Sequence, residues 1–214
     1  MCWNTTVSLN TFLFSSFVLI LIIYNNQYTE YKIKELNNIW VYLFLASVIV
    51  MQLIEYFIWK NINNIYYNKL FSTIGSFILF TQPIYSMMLI TNIQIRNIML
   101  ILYLLWGIPY SIYQILYKNI HSEIGKNGHL IWRYFELEPP LLFIWVFFLI
   151  FGLIYKKLWF IATLGIILFI ISYYKYKKES SLGSMWCWLV NTVMIYYAIY
   201  LLYYLPYYYK KGVC

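Results

Sequence analysis

Seven long apolar runs divide the chain into membrane-length pieces. A transmembrane helix needs about 20 apolar residues, with about 17–25 tolerated. The runs are unbroken and do not alternate between apolar and polar residues as barrel strands do. Helices suit them because a helix satisfies its own backbone hydrogen bonds inside lipid. The sequence therefore predicts an all-α polytopic transmembrane helix bundle with seven spans, at residues 6–24, 39–59, 70–92, 97–117, 140–155, 158–174 and 185–206.

The composition excludes an ordinary soluble protein. Of the 214 residues, 63% are hydrophobic and 10% are charged, whereas soluble domains average roughly 45–50% and 25%. A soluble fold of this size could not bury so much apolar surface. The apolar runs take about two-thirds of the chain, which leaves little for a separate soluble domain. We therefore expect residues 1–214 to form a single transmembrane helical domain in contact with the lipid bilayer.

The net charge of +8 does not indicate nucleic-acid binding. The lysines and arginines stand singly or in pairs between the apolar runs, where cations that flank a bilayer belong. The densest group is Lys175, Lys177 and Lys178, which is too short to form a basic recognition face. Nucleic acid is therefore not a predicted partner.

A six-span bundle is the alternative to seven spans. The runs at 140–155 and 158–174 are both near the lower length limit for a span. They are separated by Lys156 and Lys157. A lysine in the middle of the bilayer costs ~2.5–3.5 kcal/mol on insertion scales. The sequence therefore favours a turn at these lysines over one long helix.

Glu55 is the acidic residue that lies clearly inside a predicted span. Ionisable side chains in membrane helices are costly and mark ion pathways, proton relays or ligand sites. Gln52, Glu55 and Trp59 are spaced so that all three lie on one helix face. The alternative is that Glu55, about 6 Å by helical rise from the end of its run, reaches interfacial water.

The count of spans predicts where the other polar residues lie. With seven spans, Cys2 and Cys187 begin the first and last helices on the side of the membrane where Glu55 lies. Gln82 precedes Pro83 in the third run, and broken helices of this kind often line cavities. The predicted binding cluster, in one half of the bilayer, comprises Cys2, Asn4, Ser8, Gln52, Glu55, Trp59, Gln82, Cys187 and Asn191.

The thiols leave three alternatives open. Cys2, Cys187, Glu55 and His129 have the ligand types that bind zinc or copper, but no metal-binding spacing supports this. The two cysteines could also form a disulfide on an oxidising side of the membrane, or they could be free, small apolar residues. The sequence identifies no catalytic residue and no cofactor.

Residues spread over the chain resemble a known group. The start Met1-Cys2-Trp3-Asn4 with Ser8, then Gln52-x-x-Glu55-x-x-x-Trp59, then Trp186-Cys187, resembles uncharacterised multi-pass membrane proteins of large double-stranded DNA viruses. It is also similar to a bacterial group that begins Met-Cys-Phe-Ser-Ala, from which it departs at Trp3, Asn4 and Thr5. The resemblance supplies no activity. It implies that Cys2, Gln52, Glu55, Trp59 and Cys187 belong together, in a protein of a virion or host-cell membrane.

These observations lead to three hypotheses about function. The first is a small transporter or channel-like protein with an ion or small-molecule ligand at a polar half-membrane site around Glu55. The second is a structural or interaction protein of a virion or host membrane. The third is a membrane-embedded enzyme that uses Glu55 and Cys187. A transporter predicts a water-reachable cavity, and a structural protein predicts a filled bundle. An enzyme predicts a nucleophile within hydrogen-bond reach of a base.

Overall fold

The computed structural model describes residues 4–118 and 120–210, with the side chain of residue 210 left out. In this part of the chain seven helices and one small β-hairpin form the fold, which confirms the predicted all-α bundle. The hairpin lies between the fourth and fifth helices and consists of β1 (Ser122–Ile124) and β2 (Leu130–Trp132). The helices are α1 (Thr5–Tyr28), α2 (Ile39–Lys60), α3 (Ile65–Met87), α4 (Ile93–Tyr117), α5 (Pro139–Tyr155), α6 (Trp159–Tyr176) and α7 (Leu182–Tyr209).

The helices have the length and the outer surface of a membrane bundle. In the described part of the chain, five of them (α1, α2, α4, α6 and α7) are long and apolar enough to cross a bilayer, and α5 is a shorter apolar helix. Ile98, Ile101 and Leu105 on α4 are each more than half exposed. A continuous apolar outer face is favourable in lipid and unfavourable in water. The chain is a multi-pass integral membrane protein.

The turn between α5 and α6 agrees with seven helices rather than six. Lys156 and Lys157 directly follow Tyr155, the last residue of α5. Lys157 has a positive φ of 64°. This backbone conformation reverses the chain, so that α6 packs against α5. The two runs are therefore separate helices, with the lysines at the turn between them.

Asparagine side chains set the starts of four helices. Asn4, Asn38, Asn64 and Asn92 each accept a hydrogen bond from a backbone N–H in the first turn that follows, which satisfies one of the unpaired donors at a helix start. The predicted starts at residues 70 and 97 were consequently too late. With these caps, α3 begins five residues before its predicted span and α4 begins four residues before its own.

The last helix is interrupted twice. Asn191 breaks the α-helical pattern, and its Nδ2 donates to the Cys187 carbonyl oxygen at 2.8 Å. Residues Tyr200–Tyr204 then form a π-helical turn, a feature that often accompanies functional sites.

The β-hairpin is docked onto the ends of the helices. Its two strands pair antiparallel, with Glu123 opposite Ile131. On one side, the Asn68 side chain of α3 accepts from Ser122 N and donates to Ser122 O, both at 2.9 Å. On the other side, Ser184 Oγ of α7 donates to Leu130 O at 2.7 Å. We refer to residues 122–132 as the hairpin cap.

The outer face of the hairpin cap carries an ion pair that should respond to pH. Arg133 donates hydrogen bonds to Glu123 and Glu136. The bond to Glu123 is the main reason why the pKa of Glu123 is lowered from its usual value of 4.5. A carboxyl whose pKa is lower in the folded state stabilises the fold above its unfolded-state pKa. That contribution is lost as the pH falls through the folded-state value.

We therefore expect backbone amides of the cap to exchange with solvent faster when the pH falls from neutral to below 4.5. The effect should be small, less than about 1 kcal/mol, because the pair is substantially exposed. Hydrogen exchange corrected for its intrinsic pH dependence measures it. The Arg133→Gln variant should show a weaker dependence, and an equal dependence in both proteins would contradict the assignment to this pair.

Candidate functional site

The carboxyl group of Glu55 is buried inside the bundle. Glu55 lies one turn from the end of α2 and is only 4% exposed, so it does not reach interfacial water. The polar side chains of Gln52 and Ser8 lie next to its carboxyl group. Among the described residues, no lysine, arginine or histidine forms an ion pair with it. A buried carboxyl group whose partners among residues 4–118 and 120–210 are neutral is thus the centre of the site.

The Cys187 thiol packs beside this carboxyl group. Gln52 Nε2 lies 3.8 Å from Cys187 Sγ, and the thiol in turn lies 3.8 Å from the Val48 carbonyl oxygen. Cys187 is a free, buried cysteine close enough to Glu55 for their charges to interact. The structure therefore brings together Ser8, Gln52, Glu55 and Cys187, four residues of the predicted binding cluster from three different helices.

Tyr134 is a member of the site that the sequence reasoning missed. It follows the hairpin cap, and its hydroxyl is buried with no hydrogen-bond partner among the described residues. Burial raises the pKa of Tyr134 well above its ordinary value, and the nearby Glu55 and Cys187 add to this effect. Gly75 of α3 makes room for it, since a Cβ there would lie 2.8 Å from the Tyr134 oxygen. No pattern around Tyr134 distinguishes it from the other tyrosines.

Trp59 lies with Glu55 beside a small cavity. The cavity has a volume of about 10 Å³ and is closed by Leu130 of the hairpin cap and by Ser184 and Trp188 of α7. A single water molecule needs roughly 10–15 Å³. The carboxyl group therefore borders a space of about one water molecule, covered by the cap.

Gln82 and Asn191 lie outside the carboxyl cluster. Gln82 Nε2 is 3.4 Å from the Ser47 carbonyl oxygen, and Ser47 precedes Glu55 by eight residues, or about 12 Å of helical rise. Both Gln82 and Asn191 line a larger cavity, which Cys187 also borders. The predicted cluster is thus divided into two sites at different depths.

Asn4, at the start of α1, is a further residue of the predicted cluster. It is exposed and caps α1, so it is not part of the carboxyl cluster. The predicted member Cys2 lies outside the described residues.

The metal hypothesis gains no geometric support. His129 packs edge-on against the Tyr176 ring, near the charges of Glu179 and Lys175. The pKa of His129 is lowered, mainly because its imidazole is partly buried. Within residues 4–118 and 120–210, no three His, Cys, Asp or Glu side chains lie close enough to hold a metal ion. Glu55 and Cys187 are two side chains of these types that lie near each other.

Comparison with protein-family models, with curated proteins and with solved structures finds no match to this chain. The chemistry of Glu55 and its neighbours must therefore indicate what the site does.

Proposed function

We propose that this chain is a small transporter or channel-like membrane protein in which Glu55 binds an ion or a proton. One observation supports the proposal above all others, namely the buried carboxyl group whose described partners are neutral. Placing an ionisable group in the membrane costs several kcal/mol by insertion scales or more by other measures. An apolar residue at position 55 would avoid that cost, so we attribute the retained carboxyl group to function.

The neighbours of Glu55 suit the binding of a small cation or proton. Ser8 and Gln52 lie next to the carboxyl group and offer polar side chains that can stabilise its charge. Gln52 Oε1 and the Tyr134 hydroxyl are buried oxygens with no hydrogen-bond partner among the described residues. Carboxylate, amide and hydroxyl oxygens are the ligands that hard cations prefer, and they also form hydrogen-bonded routes for protons.

The structure corresponds, in this proposal, to the closed state. The hairpin cap and Trp59 cover the cavity beside Glu55. An ion could reach the carboxyl group only when the cap moves away from Ser184 and Asn68. Opening of the cap would thus be the step that admits ions from this side of the membrane.

One observation favours the second hypothesis, a structural protein of a virion or host membrane. The space beside Glu55 is very small, as expected of a filled bundle. A membrane enzyme has less support. Among the described residues the Cys187 thiol has hydrogen-bond contacts with the Gln52 amide and the Val48 carbonyl but none with the Glu55 carboxyl group, the candidate base of that hypothesis.

Reconstitution in liposomes tests the proposal. We expect the wild-type protein to pass protons or an alkali cation, detected by an internal pH-sensitive dye or a cation-sensitive dye. Glu55→Gln, which keeps the shape but removes the charge, should reduce the flux to that of protein-free liposomes. The matched control is Glu35→Gln, because Glu35 is an exposed carboxylate between α1 and α2. Equal flux in wild type and Glu55→Gln, or no flux in wild type, would contradict the proposal and favour the structural hypothesis.

A further inference from the structure

A second cavity, of about 60 Å³, lies in the centre of the bundle. Its walls come from five helices, α2, α3, α5, α6 and α7, and its outer end is formed by Trp132 and Phe135. Glu55, Ser8 and Gln52 do not line it. The cavity is therefore a separate feature from the proposed ion site, with Cys187 at the boundary between the two.

The shape of this cavity follows from the residues along its walls. On α7 the lining residues extend from Gly183 to Met194, and on α5 they extend from Trp145 to Leu153. At 1.5 Å of rise per residue these stretches correspond to about 16 Å and about 12 Å. The centre of a water-sized sphere can move through only about 60 Å³. Spread over that length this space is narrow, and the walls stand about 1.4 Å further out on every side. Its proportions suit one extended hydrocarbon chain.

The polarity of the walls limits the kind of molecule that fits. Among the described residues, no charged side chain lines the cavity, and most of the lining is aliphatic or aromatic. Two polar atoms of its lining residues, Asn191 Oδ1 and Trp132 Nε1, are buried with no hydrogen-bond partner in the described part of the chain. One is an acceptor and the other a donor. Each unpaired buried group costs about 1–3 kcal/mol, and a hydroxyl group could pair with either.

We infer that the central cavity binds a single alkyl chain that ends in an uncharged hydroxyl group, as in a medium-chain alcohol. The chain fills the apolar channel, and the hydroxyl donates to Asn191 Oδ1 or accepts from Trp132 Nε1. A fatty acid is disfavoured because its carboxylate would be buried without a cation. This inference does not depend on Glu55 or on ion flux.

Tryptophan fluorescence provides the readout, because Trp145 and Trp186 line the cavity. The probe is decanol brominated at the end of its chain, added to the full-length protein in detergent micelles, and bromine quenches nearby indole rings. We expect part of the quenching of wild-type tryptophan fluorescence to saturate as the probe concentration rises. This part reports binding in the cavity, whereas partitioning into the micelle gives quenching that rises without saturation.

Gly165→Val is designed to fill the cavity. Gly165 lines it, and a Cβ there would meet only Ile150 Cδ1, at 3.6 Å, among the described atoms. The valine should therefore fold and should remove the saturable quenching. The control is Ile167→Phe, which adds bulk to the same helix at an exposed position and should leave the quenching unchanged.

Asn191→Leu tests the hydroxyl contact. We expect brominated decanol to bind about fivefold more weakly to this variant, the effect of one lost hydrogen bond. Binding of brominated decane, which lacks the hydroxyl, should be unchanged. Purely linear quenching of the wild type, or saturable quenching of equal strength in Gly165→Val, would overturn the inference. Neither result depends on whether Glu55 variants change ion flux, so the two proposals fail independently.

Discussion

Replacing Gly152 by alanine is expected to be among the most damaging single-methyl changes in this protein. Gly152 lies on α5 where that helix packs against α3. A Cβ at this position would lie 1.8 Å from the Ser86 carbonyl oxygen and 2.4 Å from its carbon. Both atoms belong to the backbone, so no change of side-chain rotamer can relieve the overlap. The two helices must separate, and α3 also supports the hairpin cap.

The loss of stability should be about 3 kcal/mol or more, at the upper end of the range for overpacked sites. The midpoint of thermal or denaturant-induced unfolding in detergent measures it. The matched control is Gly165→Ala, because a Cβ there makes only an ordinary contact of 3.6 Å. An unfolding midpoint for Gly152→Ala equal to that of the control would show that α3 and α5 do not approach this closely.

Asn68→Leu is expected to release the hairpin cap from the bundle. The Asn68 amide donates to Ser122 O at 2.9 Å and to Ile62 O at 3.1 Å, and it accepts from Ser122 N. Ser122 is buried, so leucine would leave its N–H and C=O groups without partners. At about 1–3 kcal/mol for each of these two unpaired groups, the docked cap should lose about 2–6 kcal/mol.

Hydrogen exchange read by mass spectrometry tests this expectation. Peptides covering residues 122–137 should lose protection in Asn68→Leu, while those of α2 and α5 remain protected because their hydrogen bonds are internal. Thr73→Ala serves as the control, since Thr73 lies on the exposed face of α3 and bonds only to the Lys69 carbonyl. If the cap peptides stay as protected as in the control, Asn68 is not what holds the cap.

The helices could be predicted because their signals are local. Long apolar runs define them in the sequence, and Lys156 and Lys157 mark the reversal between α5 and α6. The starts of α3 and α4 were less accurate because polar first turns after Asn64 and Asn92 belong to the helices although they carry little hydrophobic signal. The interruption of α7 at Asn191 was not predicted, since it depends on the local hydrogen bond to the Cys187 carbonyl.

The candidate site could be predicted in part. The count of spans predicted that Cys187 lies level with Gln52 and Glu55, and its thiol lies 3.8 Å from Gln52 Nε2. Gln82 lies apart from them, because it is about 25 Å along α3 from the start of that helix and packs near Ser47. Tyr134 and the hairpin cap arise from contacts such as Asn68 with Ser122, which are 54 residues apart. A single sequence has no periodic signal for such a contact.

The attachments of the hairpin cap impose an order on biosynthesis. Two of its bonds go to Ser181 and Ser184, at the beginning of the final helix. The ribosome synthesises that helix after the other six described helices, and domains are assembled as the chain emerges. The cap therefore cannot be fully secured while the first six helices alone have entered the membrane. We therefore expect the Glu55 carboxyl group to become fully enclosed only after α7 has been synthesised and has docked against the cap.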